Sequence, residues 1–165
     1  MKEVWEATWN ANNKTNNTSF DIEDDEILLA HTKGEDNTFL PGGHVEFGES
    51  ATTALKRESE EELGIETETL KFSGILEYKY GDLTNKNETH HEINLTFHTE
   101  IKGGIPCENG MESKKKKLEF FWAKINKLEK SNLLPEPLIE LIPKWIKEKK
   151  VFFQSARDPK LQLLR

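Results

Sequence analysis

The sequence has little cysteine and no long apolar run, and both absences narrow what the chain can be. Cys107 is the one cysteine among 165 residues, which excludes an intrachain disulfide framework and suits a reducing compartment. The opening segment, Met1–Asn10, lacks the apolar stretch of a secretory signal. No later run approaches the roughly 18 apolar residues of a membrane span. The sequence therefore predicts a cytoplasmic protein without a membrane segment.

Positive charge is also in deficit. The chain carries 23 lysines and arginines against 30 aspartates and glutamates, a net charge of −7 at pH 7. Broad, sequence-independent binding of nucleic acid depends on cations that neutralise phosphates, so this balance argues against it. The one basic block, Lys114–Lys117, is interpreted as a solvated hairpin tip, with attraction of a triphosphate tail or an RNA 5′ end as the alternative. A polyphosphate substrate stays compatible with the charge, because a bound divalent cation reverses it locally.

One stretch of the chain, Gly42–Ile65, concentrates glycines, an arginine and carboxylates. Between Ser50 and Leu63 there is no glycine or proline, which predicts a helix. Ser50 can cap its N-terminus, and Gly64 can end it in the left-handed conformation. The inward stripe recurs every four residues and consists of Ala51, Leu55, Ser59 and Leu63.

A second face of this helix carries three carboxylates. Glu58, Glu61 and Glu62 lie at i, i+3 and i+4, where like charges repel each other. A cage for a hard divalent cation, which prefers oxygen ligands, accounts for such a cluster. Arg57 can orient one carboxylate, and the bare backbone of the preceding glycine turn can approach a metal or a phosphate. A solvated acidic helix after a glycine turn is the alternative interpretation.

The offsets of these residues resemble the Nudix hydrolase signature, G-x5-E-x7-R-E-U-x-E-E-x-G-U, in which U is aliphatic. Every fixed letter is present between Gly43 and Gly64, including Glu49 and Arg57. Ser59 departs at the first U, which concerns the apolar contacts behind the helix rather than the chemistry. The resemblance implies an α/β (α+β) fold, the Nudix α/β/α sandwich with a mixed central sheet.

The resemblance also implies an enzyme that acts on phosphoric anhydride bonds. The expected reaction is Mg²⁺- or Mn²⁺-dependent hydrolysis of a nucleoside diphosphate linked to another group, by attack of water on phosphorus. Oxidised nucleoside triphosphates, dinucleoside polyphosphates, nucleotide sugars and capped RNA all stay open as substrates. A Nudix-like module that binds a nucleotide without cleaving it is the alternative function. The implied metal ligands are Gly42, Gly43, Glu58, Glu61 and Glu62; the implied catalytic residues are Arg57, Glu58, Glu61 and Glu119.

Glu119 enters this set because many Nudix proteins carry a site glutamate at a similar E-x-x-W position. Glu61 or Glu119 is expected to accept the proton of the attacking water. Tyr80 is a candidate substrate-binding residue, since diadenosine polyphosphate hydrolases of the family carry a base-stacking tyrosine at a similar spacing. His91 is the second candidate. Adjacent residues of an extended chain point to opposite faces, so His90 and His91 cannot share one metal.

The rest of the chain predicts strands and a second helix. Leu138, Ile142, Trp145 and Ile146 recur at helical spacing, and Pro143 should kink or split that helix. Absence of repeats and linkers predicts one domain over residues 1–165. The resemblance implies that it is a Nudix domain, a monomer or homodimer with a small nucleotide substrate. Strands are predicted at Thr18–Ile22, Glu26–His31, Leu70–Tyr80 and Leu118–Ile125, and around the alternation Ile93, Leu95, Phe97, which indicates a half-buried strand.

Overall fold

The computed structural model describes residues 3–11, 26–81, 89–101, 111–114, 117–148 and 150–155. The predicted strand at Thr18–Ile22 and Cys107 lie outside these ranges. A 3₁₀ helix, Ile125–Lys130, precedes the second α-helix. The elements in chain order are β1 (Glu3–Ala11), β2 (Glu26–Thr32), β3 (Thr38–Phe39), β4 (Gly42–His44), α1 (Ala51–Glu62), β5 (Thr67–Gly81), β6 (Thr89–Ile101), β7 (Met111–Glu112), β8 (Leu118–Lys124), α2 (Leu138–Glu148) and β9 (Phe152–Ser155).

The strands form two sheets. The larger sheet has the order β4-β1-β6-β5-β9 and is mixed, because β1 runs parallel to β6 and β9 runs parallel to β5, whereas the other two pairs are antiparallel. The smaller sheet, β3-β2-β8-β7, is antiparallel throughout. The predicted mixed sheet with helices is confirmed, and the smaller sheet is an addition that the sequence pattern did not predict.

Strand β2 is buried on both faces and separates two apolar cores. Ile27 and Leu29 point into the core that contains the buried residues of α2. Leu28 and Ala30 point into the core that contains Leu55 of α1. Because alternate residues of a strand face opposite sides, a continuous apolar run is what a layer between two helices requires. The two helices therefore cover opposite sides, as the expected α/β/α sandwich demands.

Helix α1 begins and ends where the sequence predicts. The side chain of Ser50 accepts a hydrogen bond from the Thr53 amide at 3.1 Å, and Gly64 ends the helix at φ +70°. Ser59, the departure from an aliphatic residue, is buried. Its hydroxyl donates to the carbonyl of Leu55 at 2.7 Å. The polar group is thus satisfied inside the helix, which explains how the core accommodates it.

Two predictions about local structure are wrong. Gly42–His44 is not a turn but strand β4, paired antiparallel with β1, and the turn follows it with Gly48 at φ +92°. Of the two outcomes expected at Pro143, a kink or a split, the split does not occur, because helix α2 continues to Glu148. The buried side chains on one face of α2, including Trp145, hold it against the core, and this contact outweighs the hydrogen bond that proline cannot donate.

The prediction of a half-buried β6 is also wrong, although its period of two is right. Strand β6 lies between β1 and β5 in the larger sheet, and buried residues occur on both of its faces, with Phe97 on one and Thr96 on the other. Ile93 and Leu95 are partly buried, whereas Glu92 and Asn94 on the other face are each only 5% exposed. The more deeply buried face of this strand is therefore the polar one.

Strands β1 and β9 were not predicted at all. In β1 the glutamates at positions 3 and 6 interrupt the apolar pattern, and β9 is only four residues long. Within the ranges given above, no helix is long and apolar enough to cross a membrane.

Candidate functional site

Arg57 lies at the centre of the carboxylates predicted to form the site. Its Nε and Nη2 atoms donate to the two carboxylate oxygens of Glu49 at 3.3 and 2.9 Å. Its Nη1 atom donates to Oε1 of Glu58 at 2.8 Å and lies 3.6 Å from Oε1 of Glu61. The Nη2 atom also donates to the carbonyl of His44 at 3.1 Å. One guanidinium thus ties β4 and the following loop to the acidic face of α1.

These hydrogen bonds change the acid–base properties of the group. The pKa of the Glu49 carboxyl lies below its ordinary value, first because of the bonds from Arg57 and second because the Glu46 amide donates to it. Partial desolvation opposes this lowering of the pKa without cancelling it. The pKa of Arg57 is raised by its bonds to Glu49 and Glu58, so the guanidinium stays a cation wherever the protein is folded.

Gly43 allows Glu58 to approach the backbone of β4. A Cβ atom at position 43 would lie 2.4 Å from Cδ of Glu58, closer than two carbon atoms can come. A residue with a side chain would therefore displace the carboxylate. The neighbouring Gly42 lines a cavity instead. Consecutive residues of β4 thus border two different parts of the candidate site.

The predicted metal ligands can be compared with a metal site in two respects, the type of their donor atoms and their arrangement. Glu58, Glu61 and Glu62 provide carboxylate oxygens on one helical turn beside the carbonyls of β4, which are the donors that hard divalent cations prefer. Among the residues described here, no three acidic, histidine or cysteine side chains converge as metal ligands do. Glu58 and Glu61 are directed to Arg57 instead. The set therefore fits a divalent cation in donor type, while Glu58 and Glu61 contact Arg57.

Glu119 is held on a different part of the molecule. It lies on β8 opposite His31 of β2, with its carboxylate 3.2 Å from His31 Nε2 and 3.8 Å from Lys33 Nζ. Alternation along β8 places it on the face of Phe121, which packs against the core under α2. The contacts of Glu119 with His31 and Lys33 therefore do not place it at Arg57.

The two candidate substrate-binding residues have different outcomes. His91 lies on β6 with Nε2 at 2.8 Å from Oε1 of Glu77, and alternation places it on the face opposite Glu92. The structure therefore does not place His91 at the cavity described next. The backbone of Tyr80 belongs to β5, and its side chain is outside the part that the structure describes.

A cavity of about 630 Å³ opens beside β4, a size typical of small-molecule sites. Its lining comes from β3 and β4, from the facing strands β5 and β6, and from the segment at positions 134–138. Thr38 of β3 anchors that last segment: its hydroxyl donates to the Ser131 carbonyl at 2.8 Å, and its carbonyl accepts from the Leu134 amide at 2.8 Å. Segments that are far apart in the sequence therefore line the same cavity.

Two residues of this cavity, Glu92 and Asn94, were not among the candidate site residues chosen from the sequence. Both are buried on β6, and the Tyr78 hydroxyl donates to the carboxylate of Glu92. The signal that could have found them is the alternation of polar and apolar residues on β6. That alternation was interpreted as a strand with its polar residues facing solvent and its apolar residues facing the core. Tyr78 lines the cavity as well.

Comparison with known proteins gives one family and many similar folds. The model of the NUDIX domain matches residues 18–145. No curated protein matches the chain. The mutator protein MutT from Bacillus halodurans superposes with a TM-score of 0.63 at 19% identity, covering 98% of this chain and 95% of that one. A UDP-X diphosphatase superposes at 0.60 with 18% identity, covering 93% and 67%. An ADP-ribose pyrophosphatase from Streptococcus suis superposes at 0.56 with 14% identity, covering 93% and 98%. Identities this low show the shared fold alone.

Proposed function

The chain belongs to the Nudix family, and from that premise we propose that it is a Mg²⁺- or Mn²⁺-dependent pyrophosphohydrolase of a nucleoside diphosphate derivative. Membership supports a hydrolase of pyrophosphate bonds; the metal and the nucleotide substrate belong to the proposal. The observation that carries it is the Arg57 cluster, in which three carboxylates of the signature, Glu49, Glu58 and Glu61, surround one guanidinium near a cavity. A hydrolase would use such carboxylates to hold a divalent cation against the charged phosphate group.

In the proposed reaction, different residues bind the metal and position the carboxylates. Glu58, Glu61 and Glu62, with a carbonyl of Gly42 or Gly43, would hold the divalent cation. When bound, that cation would neutralise charge on the diphosphate and lower the pKa of a water molecule. Arg57 positions Glu58 and Glu61 through the guanidinium that both face.

The proton of the attacking water passes to a carboxylate, for which Glu61 and Glu119 are the candidates. Glu61 lies in the Arg57 cluster and is 44% exposed, whereas Glu119 is paired with His31 on β8. This position favours Glu61 as the base. Attack on one phosphorus breaks the anhydride bond and yields a nucleoside monophosphate and a phosphorylated remainder.

A substrate panel tests the proposal. Purified chain would be incubated with nucleoside triphosphates, an oxidised nucleoside triphosphate, dinucleoside polyphosphates, nucleotide sugars, ADP-ribose and capped RNA, with Mg²⁺ or Mn²⁺, and products identified by mass spectrometry. We expect a nucleoside monophosphate from at least one class and none in the presence of a chelator. No product from any class with either metal would contradict the proposal.

The second candidate function is a module that binds a nucleotide without cleaving it. The observation in its favour is that, within the described ranges, no three potential ligands converge on a metal position. Equilibrium binding of a panel compound with no product over hours, at saturating Mg²⁺ and Mn²⁺, would favour this candidate over the hydrolase.

A further inference from the structure

The floor of the cavity contains an amide with unused hydrogen-bonding capacity. Asn94 is 5% exposed, and within the described chain its Nδ2 atom has no hydrogen-bond partner. A buried N–H group without a partner is unfavourable, so most such groups in native proteins bond to protein, water or a ligand. Because Asn94 lines the cavity, the acceptor that its amide lacks can come from a bound molecule.

A carboxylate acceptor stands beside this donor. Glu92 is two residues from Asn94 on β6, so both side chains project from the same face, with roughly 7 Å between their Cα atoms. Glu92 is also 5% exposed, and the Tyr78 hydroxyl donates to its Oε2 atom. Tyr78 is the direct neighbour of Glu92 across the β5–β6 pair, so it fixes the orientation of the carboxylate. The cavity thus presents one N–H donor next to one oriented carboxylate.

We propose that Asn94 and Glu92 select the base of the bound nucleotide and favour a guanine-type edge. This rests on the proposed function in taking the ligand to be a nucleotide. Guanine presents one acceptor, O6, beside two parallel donors, N1–H and the 2-amino group. Its O6 would accept from Asn94 Nδ2, and its two N–H groups would donate to the Glu92 carboxylate, which binds paired donors well.

The other bases complement this pair less fully. Adenine and cytosine each offer an amino group beside a ring acceptor, so they can pair with Asn94 but bring only one donor to Glu92. Uracil offers one N–H between two carbonyl oxygens, and the second oxygen would oppose the carboxylate. Hypoxanthine keeps O6 and N1–H but lacks the 2-amino group. The expected order of affinity therefore places guanine first.

The location of the cavity agrees with this role. Its walls include the apolar side chains of Phe39, Leu40 and Leu76, which suit the faces of a flat ring. Gly42 borders the cavity, and the next residue, Gly43, contacts Glu58 of the Arg57 cluster. The cavity and the Arg57 cluster therefore adjoin the same short strand, one on each side of it.

Calorimetric titration of the full chain with nucleoside monophosphates tests the inference. The probes are GMP, IMP, AMP and UMP in the presence of EDTA, so that neither metal nor turnover contributes to the signal. We expect GMP to bind about tenfold or more tightly than the other three, the scale of one well-formed paired contact to a base. Equal affinities for the four nucleotides, or no binding of any, would overturn the inference.

Two variants assign the preference to residues. Asn94→Leu removes the donor at similar volume, and Glu92→Gln replaces one acceptor oxygen by a donor; each should reduce the GMP preference to less than about threefold. Glu68→Gln, exposed on β5, is the matched control and should keep the preference. Thermal unfolding would establish that each variant folds. If Asn94→Leu does not fold, the four nucleotides on the unaltered chain still decide the inference.

The two proposals fail separately. Hydrolysis of panel compounds without any base preference, or variants that keep the GMP preference, would overturn the role of Asn94 and Glu92 and leave the hydrolase standing. Selective binding of GMP with no hydrolysis at saturating Mg²⁺ or Mn²⁺ would overturn the hydrolase and leave the base-selecting pair standing.

Discussion

Arg57 connects the proposed catalytic carboxylates to the loop before the helix, and its neighbours show how single residues support the candidate site. Glu49 accepts two of its hydrogen bonds and Glu58 a third. From the sequence, Glu49 was identified as a fixed letter of the signature, without a partner. In the structure it lies before the N-cap Ser50 and holds the arginine in place. Replacing either partner would therefore change the position of the other carboxylates as well.

Removing a carboxylate of the cluster should abolish most of the activity. Glu61→Gln and Glu62→Gln are each expected to lower kcat by about 100-fold or more on the substrate that the panel identifies, the scale of lost acid–base or metal assistance. Glu60→Gln, an exposed carboxylate of the same helical turn, is the control and should stay within about threefold of the unaltered chain. Turnover at the unaltered rate in both variants would refute the assignment.

Glu119→Gln distinguishes the two candidate bases. Because Glu119 is paired with His31 and faces the core under α2, we expect its loss to lower kcat by less than about tenfold, well below the effect of Glu61→Gln. Steady-state rates of the two variants, measured over the same pH range, make the comparison. A loss of 100-fold or more in Glu119→Gln alone would assign the base to Glu119 instead.

Gly43→Ala should destabilise the protein by pushing Glu58 from its place. A Cβ atom 2.4 Å from Cδ of Glu58 forces this flexible side chain to move, at a cost of about 1 kcal/mol, the scale of its hydrogen bond to Arg57. Chemical denaturation measures the free energy of unfolding. In a Glu58→Ala background the same change should cost much less, because the clashing atoms are gone. Equal costs in the two backgrounds would show that the close approach does not matter.

The lowered pKa of Glu49 makes part of the stability dependent on pH. A carboxyl whose pKa is lower in the folded protein contributes stability that is complete above its ordinary value of 4.5 and is lost as pH falls through the folded pKa. The difference in unfolding free energy between the unaltered chain and Glu49→Gln should therefore shrink below about pH 4.5. In an Arg57→Gln background the pH-dependent part should disappear, and its persistence there would contradict the cause given.

At the scale of elements, helix α1 is closed at its C-terminus by a residue from far along the chain. The Lys114 amide donates to the Glu62 carbonyl at 2.8 Å, and its Nζ donates to the Glu60 carbonyl at 3.3 Å. Cations near a helix C-terminus are favourable, because the last carbonyls lack partners within the helix. Lys114, interpreted from sequence as part of a solvated tip, is therefore a contact of the signature helix.

Lys114→Ala should weaken that helix end. The expected loss is about 0.5–1 kcal/mol of unfolding free energy, the usual size of a charge and hydrogen bond at a helix terminus. Lys117→Ala, whose side chain is exposed in the same segment, is the control and should change stability by less than about 0.5 kcal/mol. Identical stabilities of the two variants would remove Lys114 from the support of α1.

How far the elements could be predicted depends on how local their causes are. The cap at Ser50, the left-handed stop at Gly64 and the periodic apolar stripe all lie within α1, so the sequence predicted this helix and its ends. Strand β6 is different, because Phe97 on one face packs in the core with Leu55, whereas Asn94 on the other face lines the cavity with the segment at positions 134–138. The alternation on β6 separates the two faces, but it does not show that the polar face is buried. The signature residues were predictable from spacing, and the buried polar pair was not.

At the scale of the whole molecule, the cavity depends on pairings between distant segments. Strand β1 pairs in parallel with β6, some 90 residues later, and Thr38 joins a segment near position 133. Such contacts follow from the complete fold, so the resemblance to a family predicted the sandwich while composition and periodicity did not. The single domain over 1–165, the cytoplasmic location and the monomeric or dimeric state stay predictions.

Bound metal should stabilise the whole chain, since a ligand that binds only the folded state shifts the unfolding equilibrium. At a concentration of about 100 times its Kd, a divalent cation adds roughly 2.7 kcal/mol, which raises the Tm of a domain of this size by about 5–10 °C. Differential scanning calorimetry with Mg²⁺ or Mn²⁺, against K⁺ at matched ionic strength, measures this shift. Glu58→Gln should reduce it, and an unchanged Tm with both metals would argue against a metal site.

The register of strand β4 is fixed by the contacts of its two glycines. Gly42 borders the cavity and Gly43 meets Glu58, so successive residues serve opposite sides of the same strand. Removing or adding one residue just before this pair would exchange the two sides, since a strand shifted by one position turns every residue over. Evolution of this protein can therefore vary the lengths of its distant loops far more freely than the three residues of β4.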